Sequence, residues 1–337
     1  DVARSSVVAV VAGGDRVAPL AGTLALDARD SYDEDVDGFY GEDAGLAFAW
    51  TCASFACDAL LEGLRHEPAL ELDGLDLGVG RWAFTANATA ADGRSDAATV
   101  TIELVDDDPP AVAIDAGDVG ARVASSTKVV LYGEASPSSL GRAVSPERRF
   151  NTTWRVVAGD LENAEPLSYW ARTPYHASAP AGDRDHDLVL AVGSLVPGAT
   201  YALQLDATLE DGGAAGAASI TFYVAKPPSA GRVFATPGAG YALETEFDLE
   251  TTSWVTEDFP LSYAFKSRSN ASESTLRAPT LEATLADVIL PEGSPNVTVF
   301  VLAIDALGGS AVASASVSVR PTALRGAALA NLTNSLL

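Results

Sequence analysis

The stretch WAFTANATAADGRSDAATVTIELV, from Trp82 to Val105, decides the fold that the sequence predicts. Two runs of alternating residues flank the turn Asp92-Gly93, a pattern typical of a β-hairpin. The pattern returns in YALQLDATLEDGGAAGAASITFYV, from Tyr201 to Val224, with a one-residue slip. A weaker copy, VFVLAIDALGGSAVASASVSV, runs from Val299 to Val319. The chain therefore repeats one hairpin three times.

A break containing proline follows each hairpin. The breaks are DDDPP, AKPP and RP, which end at Pro110, Pro228 and Pro321. Proline cannot donate a hydrogen bond to a sheet and it stiffens the chain, so these breaks predict domain boundaries with short, semi-rigid linkers. They divide the chain into units of residues 1–108, 109–226 and 227–321, followed by a tail of residues 322–337.

Period-two alternation recurs throughout the three units. In LAFAWTC, Leu46, Phe48 and Trp50 share one face, and YALETEFDLE predicts a strand with Leu243 and Phe247 on its buried side. Short alternating strands at this spacing predict an all-β chain of tandem immunoglobulin/fibronectin-III-like β-sandwiches. Only the tail has a helical spacing, which favours a frayed terminus or the first helix of a following segment.

The composition excludes several classes of function. The 337 residues contain 21 Lys and Arg against 46 Asp and Glu, for a net charge of -25 spread along the chain. Nucleic acid is therefore not an expected partner, and an anionic membrane surface is disfavoured. No run of eighteen apolar residues is present, so no membrane span is predicted. Because the chain begins with Asp and contains no Met, we expect it to be a piece of a longer protein.

Asparagine usage indicates the compartment. Five of the seven Asn open an N-x-Ser/Thr sequon, against roughly one expected by chance. This enrichment predicts a secreted, luminal or cell-surface chain that carries glycans. The predicted glycosylation sites are Asn87, Asn151, Asn270, Asn296 and Asn331.

The two cysteines, Cys52 and Cys57, follow the strand that contains Trp50. In an oxidising compartment we expect them to form a disulfide that closes a six-residue loop. The alternative is a pair of reduced thiols, with Cys52 buried as a small apolar side chain.

An acidic stretch, LDARDSYDEDVDGFYGEDAG, raises the question of a metal site. Asp33, Asp35 and Asp37 alternate and Gly38 permits a sharp bend, as in the first half of a calcium loop. The second half does not fit, because Ala44 stands where a bidentate Glu is needed and no flanking helices are predicted.

One interpretation of this stretch is a looser calcium site, with Glu42 or Asp43 completing the oxygen shell. The other interpretation is a solvated turn between two strands, in which Asp and Gly supply local hydrogen bonds. No cofactor is required by either interpretation, and calcium is the one candidate ion.

Two further acidic segments have similar alternatives. The linker DDDPP predicts an extended, self-repelling spacer, or alternatively a calcium clamp between domains. In DRDHD, Asp183, Asp185 and Asp187 fall on one side of a strand-like run and could bind a metal, although acids there usually face solvent.

No catalytic motif is recognisable. The three His are isolated in sequence, and G-x-S-x-G, H-E-x-x-H and Gly-rich phosphate loops are absent. The chain is therefore not predicted to be an enzyme.

Two of the units resemble a known family. LALDARDSYDEDVDG…LAFAWTC is similar to the opening of polycystic-kidney-disease-like (PKD-like) repeats and of receptor-for-egg-jelly (REJ) modules. The third unit resembles an REJ module more closely, through Pro-Pro, a G.ALET.F strand and a W…D…PL.Y.F strand. The matching residues are Gly240, Ala242, Leu243, Glu244, Thr245, Phe247, Trp254, Asp258, Pro260, Leu261, Tyr263 and Phe265. Family members commonly have a Cys after the ALET.F strand, where Glu250 and Thr251 stand here.

The resemblance implies an extracellular stalk on a polycystin-type membrane protein, which acts in adhesion, ligand binding or mechanosensing without catalysis. Its partner would be an extracellular protein or glycan. Two rivals stay open. A carbohydrate-active enzyme or its accessory binding module would show a cleft with exposed aromatic residues and a converging carboxylate pair. A structural cell-surface or cell-wall fibre protein could be built from the same repeats.

Overall fold

A computed structural model gives the structure of residues 6–36, 38–115, 119, 122–143, 149–180, 186–269, 272–293 and 296–322. The chain is all-β and forms tandem immunoglobulin/fibronectin-III-like sandwiches, as the alternating pattern predicts. Among the described residues, none of the helices has the length and apolar character needed to cross a bilayer. The tail beyond Thr322, with its predicted helical segment, lies outside the described residues.

The first sandwich surrounds a core of alternating apolar side chains, among them Trp50 and Phe84, both 0% exposed. Its strands are β1 (Val7–Val8), β2 (Arg16–Pro19), β3 (Thr23–Asp27), β4 (Tyr32–Asp33), β5 (Ala47–Cys52), β6 (Ala69–Asp73), β7 (Gly80–Thr89) and β8 (Ser95–Val105). Its helices are a 3-10 turn (Gly41–Ala44), α1 (Phe55–Leu60) and α2 (Gly74–Leu77). The layer β2-β8-β7-β5 belongs to a larger sheet, while β3 pairs with β6 and β1 with β4.

The second sandwich has its own core, which includes Trp154, Tyr201 and Phe222. Its strands are β9 (Ala111–Asp115), β10 (Arg122–Ala124), β11 (Val129–Ser136), β12 (Arg149–Ala158), β13 (His176–Pro180), β14 (Leu188–Leu190), β15 (Thr200–Leu209) and β16 (Gly216–Ala225). A 3-10 turn (Glu162–Ala164) and α3 (Leu167–Trp170) complete it. The layer β14-β11-β9 forms one sheet, and β13-β12-β15-β16 belongs to the larger sheet.

The third sandwich packs a three-stranded sheet, β17-β19-β22, and a five-stranded sheet, β18-β24-β23-β20-β21, around a third core. Its strands are β17 (Arg232–Thr236), β18 (Ala239–Tyr241), β19 (Glu246–Thr252), β20 (Ser262–Ser269), β21 (Ser272–Thr280), β22 (Thr284–Ile289), β23 (Val297–Ile304) and β24 (Ser310–Arg320). In β23 every second side chain is buried, which is the period-two pattern of a half-buried strand.

One predicted strand is shorter in the structure. The run YALETEFDLE forms β19 only from Glu246, because the residues before it make a turn. Leu243 has a left-handed φ of 66°, and the Thr245 hydroxyl accepts a hydrogen bond from the Tyr241 N–H at 2.9 Å. The side-chain hydrogen bond satisfies a main-chain donor locally, so the chain turns before it enters the sheet.

The first two sandwiches share one continuous sheet of nine strands: the eight strands of the two layers above and β10, which pairs with β16. Strand β2 pairs in parallel with β8 of its own sandwich and, through the Arg16–Ala218 pair, antiparallel with β16 of the next. By packing, the described residues up to Val224, apart from Ala124–Ser126, form one compact unit; Ala124–Ser126 and the described residues from Ala225 onward form a second. The main apolar cores of the first and second sandwiches thus lie in one compact unit, and that of the third lies in the other.

Candidate functional site

The acidic loop of the first sandwich is organised around an arginine. Asp33 ends β4, and its side chain is only 5% exposed. Arg94, at the turn between β7 and β8, donates to both of its carboxylate oxygens: Nη1 to Oδ1 at 2.8 Å and Nη2 to Oδ2 at 2.7 Å. The same guanidinium contacts Asp35 at 3.2 Å and Asp92 at 2.9 Å. A fixed, bidentate cation therefore lies among three carboxylates.

The ion pair determines how the loop responds to acid. Burial is the largest single influence and raises the pKa of Asp33, but the Arg94 hydrogen bonds, the Asp35 N–H and the Arg94 charge together outweigh it, so that the pKa lies below the ordinary value of 3.8. The carboxylates in turn raise the pKa of Arg94. Because the folded pKa of Asp33 is lowered, the pair stabilises the sandwich above pH 3.8, and this contribution is lost as the pH falls through the lowered pKa.

Neither interpretation of the sequence included this ion pair, and both the calcium site and the solvated turn stay predictions. Calcium at Asp33 and Asp35 would have to displace Arg94. Asp37, the third proposed ligand, lies outside the described residues, as do Asp183 and Asp185 of the DRDHD segment. Across the described ranges, no group of three or more His, Cys, Asp or Glu is arranged to hold a metal ion.

Sequence reasoning missed Arg94 because it lies 61 residues from Asp33 along the chain. The signal was present in the hairpin turn, where the sequence Asp92-Gly93-Arg94 places a basic residue directly after the glycine. The prediction needed the pairing of that turn with the acidic loop, which only the tertiary fold supplies.

His186, from the DRDHD segment, is buried and hydrogen-bonded within the second sandwich. Its residue is 8% exposed, its Nδ1 lies 3.0 Å from the Thr152 hydroxyl, and its carbonyl accepts from the Trp154 indole at 2.7 Å. The side chain is held in the second sandwich by these contacts. Asp187, next to it, is exposed.

The predicted cysteine pair is bonded in the structure, with Cα atoms 5.7 Å apart. Cys52 ends β5 and Cys57 lies in the short helix α1, which the sequence did not predict. The Ser54 hydroxyl begins this helix by accepting from the Cys57 N–H at 3.2 Å. The loop presents Phe55, whose side chain is 92% exposed.

Sequon residues lie on the surface wherever the structure describes them. Asn87 and Asn151 are exposed on β7 and β12, and Asn296 is exposed just before β23. On β7, Ala86 and Ala88 on either side of Asn87 are buried, so the asparagine points away from the core. Asn270 and Asn331 lie outside the described residues.

The DDDPP linker differs from the predicted self-repelling spacer, because its acids have partners on the second sandwich. The Asp108 carboxylate accepts from the Ser138 hydroxyl at 2.6 Å and from the Leu140 N–H at 2.9 Å. Asp107 accepts from the Ala214 N–H at 3.1 Å. These donors fix the linker against the sandwich that follows it.

Further contacts join the first and second sandwiches where β2 lies beside β16. The Asp15 carboxylate accepts from the Thr101 N–H at 2.6 Å, while its carbonyl accepts from the Ser219 N–H at 2.8 Å. Gly14 approaches so closely that a Cβ there would lie 1.9 Å from the Ser219 carbonyl oxygen. Only glycine permits this approach, which brings β2 alongside β16.

Comparison with known proteins gives one family. The model of the REJ domain matches residues 1–337, the whole chain. Comparison with curated protein sequences gives no match.

Several solved structures are similar at low identity. A bacterial 1.5-MDa ice-binding adhesin shares 14% identity, with 95% of this chain and 100% of that chain covered and a TM-score of 0.34. Titin domains A168–A170 share 12% identity, with coverage of 94% and 100% and a TM-score of 0.31. Chicken CNTN1 domains FN1–FN3 share 13% identity, with coverage of 94% and 98% and a TM-score of 0.27. Because the family model matches the whole chain, residues 1–337, this chain belongs to the REJ domain family.

Proposed function

We propose that this REJ chain is a glycosylated extracellular stalk module of a polycystin-like membrane protein, which transmits load and presents a binding surface without catalysis. The observation that carries the proposal is the nine-stranded sheet that runs through two sandwiches. A hydrogen-bonded sheet that crosses a domain junction resists bending there, whereas flexible linkers between domains allow relative motion by default.

The surface chemistry supports an extracellular location. The exposed sequon residues Asn87, Asn151 and Asn296 can accept glycans without disturbing a core. The Cys52–Cys57 disulfide is of the kind that persists in oxidising compartments. Phe55, at the tip of that loop, is the aromatic side chain that we expect to contact an extracellular protein or glycan partner.

The carbohydrate-active alternative receives less support. Glycosidases need two carboxyl groups that face a substrate cleft. Asp258 and Asp305 of the third sandwich interact electrostatically, but they are only 9% and 6% exposed. A polysaccharide could not reach them without unfolding the turn that holds them, so we favour a non-catalytic function.

Antibody labelling of the parent protein in the cells that make it tests the location. An antibody against this chain is expected to label intact cells, and treatment with an N-glycosidase is expected to convert Asn87, Asn151 and Asn296 to Asp. An antibody against a cytosolic protein is the control for membrane integrity. Labelling only after permeabilisation, with unmodified asparagines, would contradict the proposal.

A further inference from the structure

The β7–β8 turn of the first sandwich and the β23–β24 turn of the third have the same main-chain hydrogen bonds. In the first, the Ala90 N–H donates to the Arg94 carbonyl at 2.9 Å, and the Gly93 N–H donates to the Ala90 carbonyl at 2.9 Å. The Arg94 side chain extends from this turn to the loop acids Asp33 and Asp35. A cation thus bridges the hairpin and the loop that precedes β5.

In the third sandwich the equivalent bonds join Asp305 N–H to the Gly309 carbonyl at 2.9 Å and Gly308 N–H to the Asp305 carbonyl at 3.1 Å. Asp305 therefore occupies the place of Ala90, and Gly309 that of Arg94. The third turn has lost the arginine and gained a carboxylate. A Cβ on Gly309 would lie 2.5 Å from Asp305 Oδ2, so the carboxylate takes up the space where a longer side chain would begin.

A second acid, Asp258 on the neighbouring loop, acts electrostatically on this carboxylate. Asp258 lies in the segment before β20, at the position that matches Asp35 in the sequence of the first unit. Its main-chain carbonyl accepts from the Ala306 N–H at 3.2 Å, which joins the loop to the turn. Asp258 and Asp305 are 9% and 6% exposed. A main-chain hydrogen bond thus joins the loop and the turn at the place where the Arg94 ion pairs join them in the first sandwich.

The two oxygens of Asp305 have different environments. Oδ1 accepts from the N–H groups of Leu307 at 3.1 Å and Gly309 at 2.7 Å, which fixes the side chain over its own turn. Oδ2 is buried and has no hydrogen-bond partner among the residues that the structure describes. Asp258 is the charged group that acts on it. A buried, uncompensated carboxylate oxygen is unfavourable, and a bound proton removes the charge.

We propose that Asp258 and Asp305 form a proton-binding site, through which mild acidification stabilises the third sandwich. The proton comes from solvent and binds at Asp305 Oδ2, while Oδ1 keeps its two N–H donors. A proton needs no further ligands, whereas calcium takes six to eight oxygens, and the described residues offer no cluster of three acids here. The inference is independent of the proposed stalk function.

The direction of the effect follows from burial and charge. Burial first, and then the nearby Asp258, raise the pKa of Asp305 above its ordinary value of 3.8, against the lowering effect of the main-chain hydrogen bonds. Because the folded state binds the proton more tightly, the stabilisation is complete below pH 3.8 and is lost as the pH rises through the raised pKa. The Asp33–Arg94 pair responds in the opposite sense.

Hydrogen exchange of the full chain, measured by mass spectrometry on peptides from residues 297–320, tests the proposal. After correction for the chemical exchange rate, protection of these peptides is expected to rise several-fold between pH 7.5 and pH 4, which spans the raised pKa of Asp305. The variant Asp305→Asn keeps the Oδ1 acceptor but cannot titrate. It is expected to show the same protection at both pH values, at or above the wild-type level at pH 7.5.

Glu250→Gln, an exposed acid on β19, is the matched control and should retain the wild-type response. A pH response in Asp305→Asn equal to that of the wild type would overturn the proposal. So would wild-type protection that is unchanged by pH but rises with millimolar calcium at pH 7.5. If Asp305→Asn does not fold, Asp258→Asn is compared with the wild type instead: it removes the charge that adds to burial in raising the pKa of Asp305, so the rise in protection should move to lower pH, and an unmoved profile would overturn the pairing of the two acids.

Discussion

Replacing Gly14 by alanine is expected to split the thermal unfolding of the first compact unit into two transitions. A Cβ at this position would lie 1.9 Å from the Ser219 carbonyl oxygen, a main-chain atom that cannot move aside without separating β2 from β16. Overpacking of this kind destabilises a protein by about 1–3 kcal/mol. The lost stability is that of the β2–β16 contact between the two sandwiches. Each sandwich should therefore keep its own core but unfold independently of the other.

Gly45→Ala is the matched control for Gly14→Ala. Both glycines have a positive φ, 52° at Gly14 and 75° at Gly45, but nothing lies within 4 Å of a Cβ on Gly45. The control should therefore show only the left-handed backbone strain, roughly 1–2 kcal/mol, within a single transition. Differential scanning calorimetry of both variants counts the unfolding transitions of each. Equal thermograms for the two variants would show that the close approach at Gly14 does not couple the sandwiches.

Replacing Arg94 by alanine is expected to lower the melting temperature of the first unit by roughly 5–10 °C. The substitution leaves the Asp33 carboxylate, only 5% exposed, without the bidentate cation that compensates it. It also removes the contact that joins the acidic loop to the β7–β8 turn. Acid should partly rescue the variant, because protonation neutralises the uncompensated Asp33.

Arg81→Ala removes an arginine from the same hairpin and provides the comparison for Arg94→Ala. Its pair with Glu103 is solvent-exposed, with side-chain exposures of 75% and 42%, and such surface pairs contribute little. Circular dichroism melts of the two variants at pH 7 should therefore differ clearly. If the two variants have the same melting temperature, Arg94 does not stabilise the acidic loop.

The sequence predicted the features that depend on local residue patterns, namely the buried faces of strands and the hairpin turns. The buried faces of β5 and β23 follow from alternation alone, since a side chain's face in a strand depends only on its parity. The hairpin turns followed from their Asp-Gly and Gly-Gly residues, whose conformational preferences are local.

What the sequence did not predict depends on contacts between distant segments. The pairing of Arg16 with Ala218, which makes one sheet of two, is set by tertiary packing and has no local pattern. The Arg94–Asp33 contact has the same origin. The short helix α1 was missed because four residues between two cysteines contain too little periodicity to indicate a helix.

Single-molecule stretching of the full chain from its two ends tests the central claim, that the first two sandwiches form one load-bearing unit. At about 0.35 nm per residue, unfolding of that unit in one step should lengthen the chain by about 70 nm, and the third sandwich should add about 30 nm. The account predicts these two steps in most traces. Three separate steps of about 30–40 nm each would show that the first two sandwiches carry force independently, and would contradict it.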